Sequence, residues 1–335
     1  GSGNDQTVSG AFAARATHVG ATTTAADGSA GGSGAAIGIA LGLTVASDTT
    51  LATTERNLSA GGDITFAAHA AGSSSATAKA SSAGAKDEGD SPDDKGVDKQ
   101  VGAERGLADK KAQETGTQDT SGAAETPAAE TSSGGVSVAA AIGVNIASSK
   151  ALATTPAGGH LTAGGLLTVS TSNNTDATAK ADGSATGTGS ANVGVGVAIN
   201  VVTARNQATL GANSTIAAQW VTVEATRTAV AGDTTGTIGA EAISGASGGK
   251  IGIAGSVALN IADSTNEAII EGGTTITLGG GDVKIVAEGA TASTVLATAK
   301  GAAVAPEATL AAAGDTALIT VDTLLGTAAG QVTVT

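Results

Sequence analysis

Cysteine, methionine and tyrosine are missing altogether from this 335-residue chain, which carries one Trp, two Phe, four Pro and three His. Without Cys there is no disulfide and no thiolate chemistry, a usage compatible with a secreted bacterial protein held together by ladder hydrogen bonds. So few aromatic rings cannot fill a thick core. Folding must rely on Val, Ile, Leu and Ala packed between thin layers, with glycine allowing close backbone approach. His18, His69 and His160 lie in different stretches, and none has a second His or Cys two to four residues away, so no zinc site is expected. Basic residues are scarce too: 16 Lys and Arg against 30 Asp and Glu leave a net charge of −14. A phosphate-binding surface needs clustered cations, which excludes nucleic acid as a partner. The longest apolar stretch, Val136 to Ala147, is short and interrupted by Ser137 and Asn145, so no membrane span is expected in this segment.

What the chain has instead is small residues in a repeat. Its 51 Gly stand among abundant Ala, Ser and Thr. Four times an alternating apolar strand ends in a similar triplet: Leu43-Thr44-Val45, Val144-Asn145-Ile146, Ile199-Asn200-Val201 and Leu259-Asn260-Ile261. A second short apolar run, a Gly-rich corner and another alternating strand follow, as in Leu58-Ser59-Ala60-Gly61-Gly62-Asp63-Ile64-Thr65-Phe66 and Leu161-Thr162-Ala163-Gly164-Gly165-Leu166-Leu167-Thr168-Val169. The triplet centres are 101, 55 and 60 residues apart, and the first interval contains a charged segment of 48 residues, 86–133. Once that segment is set aside, a single period of about 55 residues covers the chain, the mark of a solenoid or array.

Three regions result: a solenoid segment over 1–85 with a partial repeat and repeat 1, a flexible acidic insertion loop over 86–133, and a second solenoid segment over 134–335 with repeats 2–4 and a partial repeat. The insertion holds 12 acidic and 6 basic residues, two of the four Pro and no sustained apolar period, so it cannot bury a core. Its Asp93-Asp94 pair lacks further oxygen ligands at calcium-loop spacing. The last residues repeat the second half of a unit and stop inside an expected strand, so the chain reads as a segment of a longer repeat protein.

In Val193-Gly194-Val195-Gly196-Val197-Ala198-Ile199-Asn200-Val201 every odd position is branched and apolar, and every even position is Gly, Ala or Asn. That is the period of a β-strand, and the Val/Ile stripe is expected to face the interior. Residues Ile251 to Ile261 continue the pattern, with a bulge expected at Ala254-Gly255. Helix is disfavoured, since each interior Gly costs about 1 kcal/mol against Ala. The expected fold is all-β, a right-handed parallel β-solenoid, with tandem β-sandwich modules as the alternative. Thr44, Asn145, Asn200 and Asn260 then form one structural column. With one coil per repeat they stack ~4.8 Å apart as a side-chain ladder; with two or three coils per repeat they are too far apart to touch.

Catalytic patterns are lacking. There is neither a Gly-x-Ser-x-Gly elbow on a strand-to-helix turn nor a Cys nucleophile. Gly31-Gly32-Ser33-Gly34-Ala35-Ala36 begins like a calcium-binding nonapeptide, but Ala36 stands where the motif needs Asp. The residues Glu224, Arg227, Asp233, Glu241, Asp263, Glu267, Glu271, Asp282 and Glu288 are scattered mostly over expected turns rather than gathered on one sheet. Trp220, the single large aromatic at a corner, is the one candidate ligand contact, since an exposed indole can stack on a sugar ring. The column Thr65, Thr168, Thr222, Lys284, Thr333 raises an ice-binding alternative, but the paired Thr rows of a regular flat array are missing.

The Gly/Ala alternation ending in Asn-(Ile/Val), followed by a Leu/Ile-x-Ala-Gly-Gly-x-(Ile/Leu)-x-(Val/Phe) turn, resembles the repeats of very large bacterial filamentous haemagglutinin-like and leukotoxin-type filamentous adhesins. The likeness covers nearly the whole chain outside 86–133 and concerns a repeat style. It implies a non-catalytic, structural or adhesive stalk segment of a secreted or surface-anchored bacterial protein, located outside the cell or on its surface. Its expected partners are host-cell, matrix or glycan surfaces and neighbouring repeats of the same long chain, and it needs no cofactor. A solenoid that binds or processes polysaccharide is the alternative from another class.

Overall fold

The computed structural model describes residues 5–32, 34–84, 135–187, 191–248, 251–301, 303–321, 324–326 and 332–334. The insertion expected over 86–133 lies outside the described residues. Those residues form nineteen strands and no helix. A leading partial turn holds β1 (Gln6–Val8) and β2 (Phe12–Gly32). Coil I is β3 (Ala35–Thr53), β4 (Leu58–Ala60) and β5 (Ile64–Gly84), and coil II is β6 (Val136–Thr154), β7 (His160–Ala163) and β8 (Leu166–Thr186). Coil III comprises β9 (Ala191–Leu210), β10 (Thr215–Ala218), β11 (Trp220–Thr226) and β12 (Gly236–Ser247). Coil IV repeats this with β13 (Ile251–Ile270), β14 (Thr274–Leu278), β15 (Val283–Ala287) and β16 (Thr291–Gly301). Coil V is β17 (Ala303–Val321), β18 (Leu324–Gly326) and β19 (Val332–Val334).

Each coil sends a long strand to one sheet, a short strand to a second and a long strand or pair of strands to a third, and every pairing between named strands is parallel. The fold is a parallel β-solenoid with one coil per repeat, not a row of sandwiches. Sheet C holds β3, β6, β9, β13 and β17; sheet A holds β1, β4, β7, β10, β14 and β18; sheet B holds the remaining strands. At ~3.3 Å per residue, strands of 19 to 21 residues make each long sheet ~65 Å wide. The cross-section is therefore a blade, with sheets B and C stacked and sheet A closing one edge.

The Gly-Gly corner that leads from sheet A to sheet B stacks coil on coil. Gly164 N–H donates to Ala60 O at 2.9 Å, and Leu166 N–H donates to the Asp63 carboxylate at 2.8 Å. A Cβ on Gly164 would run into the Gly61 carbonyl of the coil below, which explains why the corner motif carries glycine there.

The interior has two parts. Beside sheet A it is a wedge filled by Leu58, Ile64, Phe66, Leu161, Leu167, Leu210, Ile216, Ile270, Ile276 and Ile285, with Phe12 and Phe66 packed 5.9 Å apart. Farther from sheet A, sheets B and C converge on an almost pure alanine layer that includes Ala40, Ala78, Ala139, Ala179, Ala198, Ala240 and Ala258. There the backbones come so close that a Cβ on Gly143 would strike the Lys180 carbonyl of the opposite sheet.

This thinness reverses the expected orientation of sheet C. Its interior stripe is the Gly, Ala and Asn one, and the Val/Ile/Leu stripe faces out: Ile39 is 65 % exposed and Ile251 56 %, whereas Ala139, Ala198 and Asn200 are buried. Branched side chains inside would force the sheets apart along their whole width. The irregularity expected at Ala254-Gly255 is present on one side of the strand: β13 stays in register with β9 through Gly255, whereas toward β17 the register shifts between Ala254 and Ser256, with Ala305 and Pro306 opposing Gly255. Proline has no N–H for the ladder and is tolerated at bulges.

Candidate functional site

Asn145, Asn200 and Asn260 are direct register partners in sheet C and fully buried. Asn145 Nδ2 donates to Asn200 Oδ1 at 2.8 Å, and Asn200 Nδ2 donates to Asn260 Oδ1 at 3.0 Å. An amide nitrogen has two protons; in Asn145 and Asn200 the second crosses the interior to sheet B, and Asn260 sends both there. Asn145 reaches Ser74 Oγ at 2.9 Å, Asn200 reaches Ala177 O at 3.0 Å, and Asn260 reaches Ile238 O at 3.2 Å and Ser293 Oγ at 2.8 Å. Ser74, Ala177, Ile238 and Ser293 are themselves one column of sheet B. The ladder thus ties coil to coil and sheet to sheet with the same side chain.

Thr44 stands in the column as the partner of Asn145 but is not a rung. Its hydroxyl donates to Ser75 O at 2.7 Å, and Asn145 Oδ1 is left with no partner. A hydroxyl has one proton, and the carbonyl across the thin interior takes it.

A second ladder lies beyond the four-residue column expected from the sequence. Asn206 Nδ2 donates to Asn266 Oδ1 at 3.1 Å and across to Thr226 O at 2.6 Å. Its signal is in the spacing, because Asn200 and Asn206, like Asn260 and Asn266, are six apart and share a strand face. Their column ends at Ala151 and Thr50, which provide no amide.

On the outer side of sheet B, coil III carries extra chain. Thr226 pairs with Ser172 and Ile238 with Ala177, so twelve residue steps span what five span in β8. The excess forms a hairpin tip in which Val230 and Asp233 exchange both backbone hydrogen bonds, at 2.8 and 2.9 Å. Ala231 and Gly232 between them both take positive φ, 49° and 88°, as a tight two-residue turn requires. Asn174 Nδ2 donates to Asp233 O at 3.1 Å, and Thr228 Oγ1 donates to Ala70 O at 2.8 Å, which lays the flap over β8 and β5.

Under this flap His69 Nδ1 lies 2.8 Å from Ser172 Oγ, which lies 2.6 Å from Thr228 Oγ1. The Ala70 carbonyl at the end of the chain only accepts, which fixes the direction. Thr228 donates to it, Ser172 donates to Thr228, and His69 Nδ1–H donates to Ser172. The serine proton points away from the imidazole, the reverse of what a general base needs to activate a nucleophile.

Trp220 opens β11 at a corner, half exposed, and its ring occupies the space above Gly281 in the next coil. The column Thr65, Thr168, Thr222, Lys284, Thr333 is in register along sheet B. The scattered carboxylates divide between faces. Glu241 pairs with Lys180 at 3.1 Å on sheet B, Glu267 approaches Arg205 at 3.4 Å on sheet C, and Glu271 accepts from Ala212 N–H at a turn. Among the described residues no three His, Cys, Asp or Glu gather as metal ligands, and no helix is long and apolar enough to cross a membrane.

The chain matches no family model, no curated protein and no solved structure.

Proposed function

We propose that this chain is a structural and adhesive segment of a large secreted or surface-anchored bacterial protein, of the kind its repeat style resembles. The observation that supports this reading is the single continuous stack: one coil per repeat, all strands parallel, with Asn145, Asn200 and Asn260 hydrogen-bonded along the axis. Each repeat of about 55 residues adds only ~4.8 Å of length but a strip ~65 Å wide. Breadth is what the repeat contributes, so adhesion would be spread over wide faces instead of resting on one pocket, and reach would require many repeats in the parent protein.

Antibody raised against this chain and applied to intact producing cells and to their medium tests the reading. Labelling of the surface or medium is expected; signal seen only after lysis contradicts it. For the polysaccharide alternative, the half-exposed Trp220 is the one favourable feature. Trp220→Ala is expected to leave binding to a glycan panel unchanged, and loss of a wild-type signal would move the assignment to a glycan-binding solenoid.

A further inference from the structure

We propose that the outer face of sheet C is a self-association surface on which a second copy of this chain docks face to face. Five outward columns run in register through coils I to IV. They are Ile37, Val138, Val193, Ile253; Ile39, Ala140, Val195, Gly255; Leu41, Ile142, Val197, Val257; Leu43, Val144, Ile199, Leu259; and Val45, Ile146, Val201, Ile261. None of these twenty positions is polar or charged, and none is buried. The chain as a whole carries a net charge of −14, so this face is an uncharged exception. The fold does not use these side chains to fill its interior, yet branched residues recur there coil after coil.

Area sets the scale. Each position occupies ~6.6 Å along the strand and ~4.8 Å across it, so twenty positions make a flat patch of ~630 Å² per copy. A pair would bury ~1,300 Å², within the range of specific protein interfaces. The ~630 Å² patch on one copy also exceeds the few hundred Å² of contiguous apolar surface that monomeric proteins usually leave exposed.

Geometry selects the occupant. The face is a lattice of branched side chains with the spacing of a parallel sheet, and the surface that repeats this spacing is the same face of another copy. Their side chains can interdigitate as in a dry zipper between stacked sheets. Polar rows border the patch: Ser47, Ser148, Thr203 and Asp263, then Thr49, Lys150, Arg205 and Thr265. The opposite outer face, on sheet B, has Thr77, Lys79, Lys180, Asp182 and Glu241. Among the described residues only one face of the blade is apolar, so pairing closes at two copies with sheet order B–C–C–B and does not propagate.

The test is sedimentation velocity of the full chain over a hundredfold concentration range. Wild type is expected to reach twice the monomer mass and stop there. The triple variant Leu41→Lys, Ile142→Lys, Val197→Lys is expected to halve the mass with unchanged circular dichroism, because all three side chains point outward. A control pair on sheet B, Thr77→Lys with Thr237→Lys, is expected to stay dimeric. A monomeric wild type, a triple variant that folds and still dimerises, or open-ended growth would each overturn the proposal. So would a wild type that stays monomeric and instead floats with phosphatidylcholine vesicles, an outcome that would assign the face to lipid. Should the triple variant misfold, the single substitution Ile142→Lys at the patch centre, read as a rise in dimer dissociation constant of at least tenfold, decides the question.

Discussion

The two edges of the blade bury their interiors in opposite ways. Near sheet A, Phe66, Leu161, Ile216 and Ile276 form a wedge of large side chains that keeps the sheets apart. Away from it, alanine, glycine and asparagine let the same two sheets collapse until carbonyls crowd the opposite Cα atoms. The first region gains from apolar area removed from water. The second buries little area per residue and depends on close packing and on hydrogen bonds between otherwise stranded polar groups. One coil therefore contains a conventional core and a laminate, and the same substitution should act differently in each.

Truncation in the wedge should cost most. Phe66→Ala, at a fully buried position, is expected to lose about 3–5 kcal/mol, read from the midpoint shift in urea unfolding. In the laminate the amide ladder comes next. Asn200→Ala leaves Asn260 Oδ1 without its donor and removes the acceptor of Asn145, at roughly 1–3 kcal/mol for each stranded group. Asn266→Ala, at the end of the shorter ladder, should cost less, which the same unfolding curve would show.

Adding a methyl group gives the sharper contrast. Gly143→Ala puts a Cβ against the Lys180 carbonyl and is expected to destabilise by about 1–3 kcal/mol through overpacking. In the wedge a methyl too many is a lesser matter than a ring too few. If Gly143→Ala proved neutral or stabilising, the laminate would be looser than described. The smallest effect should come from Trp220→Ala, within about 1 kcal/mol, since half of the residue already meets solvent.

Much of this architecture can be read from the chain. The 55-residue period, the Gly-Gly corners and the recurrence of Asn145, Asn200 and Asn260 lead to a solenoid because repeated local patterns stack in register. Alternation in Val193 to Val201 gives two faces but does not say which one is inward. Size alone put the valines inside. The counter-signal lay in the partner sheet, where Ala76, Ala78 and Ala80 alternate with Ser75, Thr77 and Lys79, so that its inner stripe had to be alanine and the space opposite had to be thin. Thr44 failed as a rung because its single proton finds a carbonyl first. The flap at coil III carries no sequence pattern of its own, and its extra residues appear only when β8, β11 and β12 are set in register.

The reversal of inside and outside on sheet C underlies both the thin interior and the apolar outer face, and the absence of native cysteine makes it directly measurable. Ile146→Cys and Ala147→Cys place a thiol on consecutive residues of β6, one outward and one buried. At a chain concentration too low for association, Ile146→Cys is expected to react with a maleimide at a rate near that of the unfolded chain, and Ala147→Cys only after unfolding. Protection of the first with rapid labelling of the second would place the branched stripe inside and overturn the reversal.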